Sequence, residues 1–152
     1  MSSRLKLIWS EYLEPMFRRP RRLQVAALCF RDTGQGRHVL LVTSRGTGRW
    51  VLPKGWPMAG KTSSDAAMQE AWEEAGVRRA RLVPEPVGSY GAQKVTASGW
   101  SIPVTTLVYA LEVEEIADDF PEAHERRREW FSPADAADRV HEPELREILR
   151  SF

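Results

Sequence analysis

A single cysteine, Cys29, stands in the 152 residues, so no disulfide can close within the chain, and a reducing compartment, the cytoplasm, is the expected location. No apolar run approaches the ~20 residues that a membrane-crossing helix needs. Glu11 and Glu14 interrupt the amino-terminal stretch, so neither an anchor nor a secretory leader is expected there. Excess charge is also missing: 22 Lys and Arg against 21 Asp and Glu give +1, and no global field draws the chain to nucleic acid or to an anionic membrane. His38, His124 and His141 are scattered without metal-ligand spacing, and no internal repeat or low-complexity tract occurs. What remains, at 42% hydrophobic and 28% charged residues, is an ordinary soluble domain with one core.

The small net charge conceals an uneven distribution. The first 23 residues carry Arg4, Lys6, Arg18, Arg19, Arg21 and Arg22 against Glu11 and Glu14, a local +4 that leaves −3 for the remainder. Leu5, Ile8, Trp9, Tyr12, Leu13 and Met16 fall near helical spacing. Residues 1–22 therefore read as a helical, basic extension, and residues 23–152 as the folded domain. Within that domain Gln24–Arg31, His38–Ser44, Trp50–Leu52, Pro86–Gly91, Ile102–Val113 and Arg128–Phe131 are apolar or β-branched enough for strands. Ser132-Pro133 opens one helix and Glu142–Leu149 forms a closing one. Strands and helices in this order suit an α/β architecture with a mixed sheet between helices better than a doubly wound parallel sheet.

Two Pro and two Gly fall within Pro53–Gly60, so the stretch LPKGWPMAGKT is expected to be a shaped loop rather than a regular element. A helix follows. Thr62, Ser63 or Ser64 can cap it, Asp65 suits its first turn, and Gly76 suits a left-handed stop. On this helix Glu70, Glu73 and Glu74 lie at i, i+3 and i+4, which puts three mutually repelling carboxylates on one face with no base at i+4 to relieve them. A solvated acidic face is the plain reading of the three glutamates alone. The preceding loop adds backbone carbonyls, Lys54 and a helix amino end, a combination suited to oxygen-seeking Mg²⁺ and to a phosphate chain. Such an arrangement fits hydrolysis of a diphosphate, where cations neutralise the phosphates and acidify the attacking water while a carboxylate takes its proton.

The run from Gly55 through Lys61, Gln69, Glu70, Glu73, Glu74 and Gly76 to Val77 resembles the Nudix box, G-x5-E-x7-R-E-U-x-E-E-x-G-U with U a bulky apolar residue. The resemblance implies an α/β/α Nudix sandwich. It also implies metal ligation by Glu70 and Glu74, with Glu73 and a carbonyl of Lys54 or Gly55 in the same site, and catalytic roles for Glu73 as base and for Glu70. Mg²⁺, or Mn²⁺ in its place, is the implied cofactor. Two positions depart from the box: Lys61 stands where the family has Glu, and Gln69 where it has Arg. That pair is a scaffold ion pair in the family, so its joint loss leaves no stranded charge.

The stretches QVAALCFR, VLLVTSRGTGRWVLPKGW, EAWEEAGV and RREWFS are similar to the diphosphoinositol polyphosphate phosphohydrolase branch, which also acts on dinucleoside polyphosphates. By that likeness Arg22, Ser44, Arg45, Lys54 and Arg126 are the candidate polyphosphate ligands. The Pro53-Lys54-Gly55 loop departs from that branch and looks more like asymmetric diadenosine tetraphosphate hydrolases and RNA 5′-pyrophosphohydrolases. Diadenosine polyphosphates and diphosphoinositol polyphosphates are thus the expected substrates. An RNA 5′ end, guided by the basic extension, is an alternative, as is a non-catalytic nucleotide or polyphosphate sensor motivated by Lys61 and Gln69. Glu122 or Glu125 can supply an acid from outside the box, although both also read as surface charge. Trp50 and Trp56 can stack on a base or simply pack.

Overall fold

The computed structural model describes residues 22–152. The helix expected over Leu5 to Met16 and the basic stretch up to Arg21 lie outside the described residues. Strand β1 (Arg22–Thr33) becomes the centre of the sheet because VAALCF is apolar at every position, and residues 25–30 are buried whichever face they meet. Along one edge β1 runs parallel to β7 (Ser101–Ile116), from Arg22 opposite Val104 to Phe30 opposite Glu112. Along its other edge it pairs antiparallel first with β4 (Lys54–Gly55), then with β2 (Gly36–Thr43). β2 in turn carries β3 (Trp50–Val51) and β8 (Arg128–Phe131), while β7 carries β5 (Val77–Leu82) and β6 (Gly88–Val95). The result is an eight-stranded mixed sheet.

Alternation along β1 divides the core in two. Val25, Ala27 and Cys29 face α1 (Ser63–Ala75), whose Ala66, Ala67, Ala71 and Ala75 let the helix lie close to the sheet. Ala26, Leu28 and Phe30 face the opposite layer, formed by α2 (Pro133–Arg139) and α3 (Pro143–Ser151) through Ala136, Ala137, Leu145 and Leu149. This is the expected α/β/α Nudix sandwich. Cys29 lies wholly inside the first layer, and burial pushes its thiol up to about 12, which makes it core rather than nucleophile. No helix of the described residues is long and apolar enough to cross a membrane.

Three details differ from the sequence expectation. Lys54–Gly55, expected to be irregular, pairs with Val25 and Ala26, because the loop must run beside the exposed edge of β1 to reach α1. β5 was not expected at all: its Arg78, Arg79 and Arg81 hide the strand pattern, and they are satisfied only across the pair, by Glu115, Glu114 and Glu112 of β7. β6 starts and ends later than Pro86–Gly91, since Pro84 and Pro86 cannot donate to the ladder and the polar run to Val95 is carried by long β7.

The end of α1 fixes the position of the acidic face. Of the three candidate caps Thr62 is used, its hydroxyl accepting from the Asp65 N–H at 3.2 Å. Gly76 takes φ +72° and donates to the Ala71 and Trp72 carbonyls. Arg128 Nη1 then donates to Ala75 O at 2.8 Å and Ala117 O at 2.7 Å, placing a cation on the negative helix terminus. A Cβ at position 76 would approach Phe120 Cδ1 to 2.5 Å and Ala117 O to 2.6 Å. Gly76→Ala therefore combines a left-handed residue with a backbone clash and is expected to lower stability in urea by at least about 2 kcal/mol. Gly34→Ala, with nothing within 4 Å of the added carbon, should stay within about 0.5 kcal/mol of wild type, and equal effects at the two positions would contradict this account of the stop.

Candidate functional site

The acidic face of α1 packs beneath the short β4 segment. Glu70 and Glu74, 8% and 6% exposed, are turned inward, and Glu73 is half-buried beside them. Gly55 makes the approach possible, because a Cβ there would run into the Glu70 carboxylate. One residue earlier the Lys54 N–H donates to Glu74 Oε2 at 3.2 Å. The loop and the helix thus meet through backbone, and the pairing of β4 with β1 holds the loop in place. Gln69 Nε2 donates to Glu73 Oε1 at 2.8 Å, one turn along the helix, so the residue standing in the place of the family arginine orients the middle glutamate.

Residues outside the helix complete the cluster. Arg126, in the turn before β8, is 8% exposed and bridges Glu74 Oε1 and Glu122 Oε1, both at 3.2 Å from Nη2, while its Nη1 donates to Thr43 O at 3.0 Å. Arg45 Nη1 lies 3.2 Å from Glu122 and 3.6 Å from Glu125. The Glu122 N–H donates to Glu73 O at 3.0 Å, which ties the acidic turn to α1. Burial, followed by the charges of Glu74, Glu73 and Glu122, pushes the Glu70 carboxyl up to about 7, with Arg126 pulling the other way. Burial likewise raises Glu74, opposed by Arg126 and by the Lys54 N–H.

Beside the carboxylates opens a cavity of about 350 Å³, lined by Gln24, Ser44, Thr47, Lys54, Lys94 and Glu142 among others. Burial lowers the Lys54 ammonium from its ordinary value, and the charges of Glu142 and Glu74 oppose the fall. Ser44 and Lys54 share this wall, whereas Arg22 is exposed at the head of β1, opposite Val104. Trp50 packs edge-on against Phe131 at 5.1 Å and belongs to the core, while Trp56 is 37% exposed with Lys94 Nζ 4.5 Å from its ring centroid. Glu142 was missed in the sequence because it reads simply as the opening of α3. Its signal was its place before Pro143: Glu is a poor N-cap, and its side chain makes no cap bond.

Among the described residues no three acidic, histidine or cysteine side chains converge tightly enough to close a metal site as they stand. Glu74 is held by Arg126 and Glu73 by Gln69. The donor set nevertheless fits a hard divalent cation: it is all oxygen, it carries surplus negative charge, and that surplus is expressed in Glu70.

Glu70 ionises near 4.5 in the unfolded chain and near 7 in the folded one, so its contribution to stability is full below about 4.5 and lost as the pH rises through about 7. A displacement of this size corresponds to about 3 kcal/mol. In the presence of chelator, Glu70→Gln should therefore melt ~5 °C above wild type at pH 8, with a flatter pH profile above pH 5. A variant less stable than wild type at pH 8 would contradict a Glu70 carboxyl held up by burial and neighbouring charge.

Comparison with known proteins places this geometry in a family. The NUDIX domain family matches residues 20–152. The chain is 30% identical over 133 residues to diphosphoinositol polyphosphate phosphohydrolase 3-beta of Bos taurus, covering 85% of this chain and 76% of that protein. It is 31% identical over 133 residues to human diphosphoinositol polyphosphate phosphohydrolase 2, covering 85% and 69%. In fold it is similar to the C. elegans Ap4A hydrolase, with a TM-score of 0.66 at 20% identity over 88% of this chain and 96% of that one. The NUDIX domain of Shewanella oneidensis NrtR, solved with ADP ribose, gives 0.63 at 21% identity over 99% and 98%. With the family match spanning most of the sequence, the chain belongs to the Nudix family of hydrolases, which act on phosphoanhydride bonds.

Proposed function

We propose that the protein is a Mg²⁺-dependent pyrophosphohydrolase that cleaves a phosphoanhydride bond of a diadenosine polyphosphate or a diphosphoinositol polyphosphate in the cytoplasm. The observation that carries this reading is the seating of the Glu70 carboxylate against Gly55, beside a Glu74 held by the Lys54 N–H. Likeness to relatives named for diphosphoinositol polyphosphates and, in fold, to one named for Ap4A supports the choice of substrate class.

Glu70, Glu74 and a carbonyl of Lys54 or Gly55 would hold the cation, with Glu73 at the margin of the same group. When bound, Mg²⁺ supplies neutralisation of the phosphate oxygens and acidification of a water. Glu73 then accepts the proton of the attacking water. The Gln69 amide, 2.8 Å from its Oε1, restrains this carboxylate and occupies only one of its oxygens. Lys54 and Ser44, on the wall of the cavity, bind and orient the phosphate chain, with Arg22, Arg45 and Arg126 as further cationic groups. Exposed Trp56 offers a surface for an adenine ring.

A second reading, a polyphosphate sensor without turnover, is favoured by one observation: Arg126 already holds Glu74. Product release from diadenosine polyphosphates, nucleoside triphosphates, diphosphoinositol polyphosphates and 5′-triphosphorylated RNA separates the readings. The enzyme reading expects turnover of one of the first-named classes with Mg²⁺ and none with chelator. Both Glu70→Gln and Glu73→Gln should lower kcat at least ~100-fold while still folding. Full turnover by Glu73→Gln would remove it as the base, and saturable thermal stabilisation by a polyphosphate without product would favour the sensor.

A further inference from the structure

Arg126 is held in an arrangement that satisfies it poorly. Its single nitrogen Nη2 is divided between Glu74 Oε1 and Glu122 Oε1, each at 3.2 Å, longer than the 2.7–2.9 Å usual for a charge-assisted bond and without the two-pronged match of a guanidinium to one carboxylate. Its Nε is buried and finds no acceptor among the described residues. A buried donor left unpaired keeps a desolvation cost that no partner repays. The side chain stays inside because the alternative costs more: without it, Glu74 would face Glu70 and Glu122 with only the Lys54 N–H and the charge of Lys54 to offset them. Its other anchor, the Thr43 carbonyl, is a neutral acceptor at 3.0 Å that holds the guanidinium at the edge of the carboxylate group.

We propose that Arg126 is a resident counter-ion of the carboxylate cluster, occupying Glu74 in the metal-free protein and displaced from it when a divalent cation binds. This rests on the metal-dependent reading above. Two cations compete for Glu74 Oε1, so the arginine weakens metal binding while preserving the cluster in its absence. Once displaced, the guanidinium is available to a phosphate oxygen. The pull on Glu122 is shared with Arg45, which lets Arg126 leave without stranding that carboxylate.

Mn²⁺ binding, followed by electron paramagnetic resonance of the free ion, tests this without turnover. Arg126→Met should bind Mn²⁺ about tenfold more tightly than wild type, and its metal-free form should melt lower while gaining more on addition of Mn²⁺. Should that variant not fold, Arg126→Lys serves the same purpose. A lysine lacks the planar fork needed to span the Thr43 carbonyl and two carboxylates, and a several-fold gain in Mn²⁺ affinity is expected. Unchanged or weaker Mn²⁺ binding in the folded variants overturns the inference. If wild type binds Mn²⁺ and Glu70→Gln does not, the metal site stands whatever Arg126 does. A wild type that binds no Mn²⁺ overturns both this inference and the metal-dependent reading.

Discussion

Mutual repulsion among buried carboxylates governs how this molecule is put together. Glu70, Glu73 and Glu74 repel one another on α1, and Glu122 is brought against them by the N–H that it donates to Glu73 O. A surface helix would let such charges spread into water. Here β4 covers them, because its pairing with β1 holds a glycine directly over Glu70. The structure then meets the charge from three directions: a backbone N–H on Glu74, an amide on Glu73 and a guanidinium between Glu74 and Glu122. Of these only the guanidinium pulls on Glu70, and burial with the neighbouring charges outweighs it. Instability concentrated at one carboxyl is a common signature of a site whose function needs it.

The rest of the fold serves to hold that arrangement rigid. The apolar middle of β1, residues 25–30, is buried from both faces, and the strand anchors β4 on one edge and β7 on the other. The four alanines of α1 set the helix against the sheet at a depth where its glutamates reach the loop. At the helix end, Gly76 and Arg128 fix the point at which the chain turns into β5, so the acidic face cannot slide along its own axis. The cavity beside the cluster carries the Lys54 cation on its wall, with Glu142 set against it from the opposite helical layer.

Much of this was legible in the sequence because it depends on local rules. The spacing of Glu70, Glu73 and Glu74, a cap within Thr62–Ser64 and the stop at Gly76 each follow from a few adjacent residues, as does the apolar strand at Gln24–Arg31. What stayed hidden depends on pairs distant in the chain. The arginines of β5 look like solvated charge until Glu112, Glu114 and Glu115 are set opposite them. Arg126 reads as a polyphosphate ligand, and nothing in PEAHERRR marks it as a partner of Glu74. Only the fold brings it to Glu74, 52 residues away, and to the Thr43 carbonyl. Glu142 was similarly concealed by its ordinary place at the start of a helix.

The claim on which the account depends is that burial, together with like charge, holds the Glu70 carboxyl up until a divalent cation joins it. Carbon-13 resonance of the glutamate carboxyls, with Glu70 assigned by its loss in Glu70→Gln, reports that charge directly. Without metal the Glu70 carboxyl should titrate at about 7, and with Mg²⁺ it should remain ionised through the same range. Titration at the ordinary glutamate value, unmoved by Mg²⁺, would contradict the account.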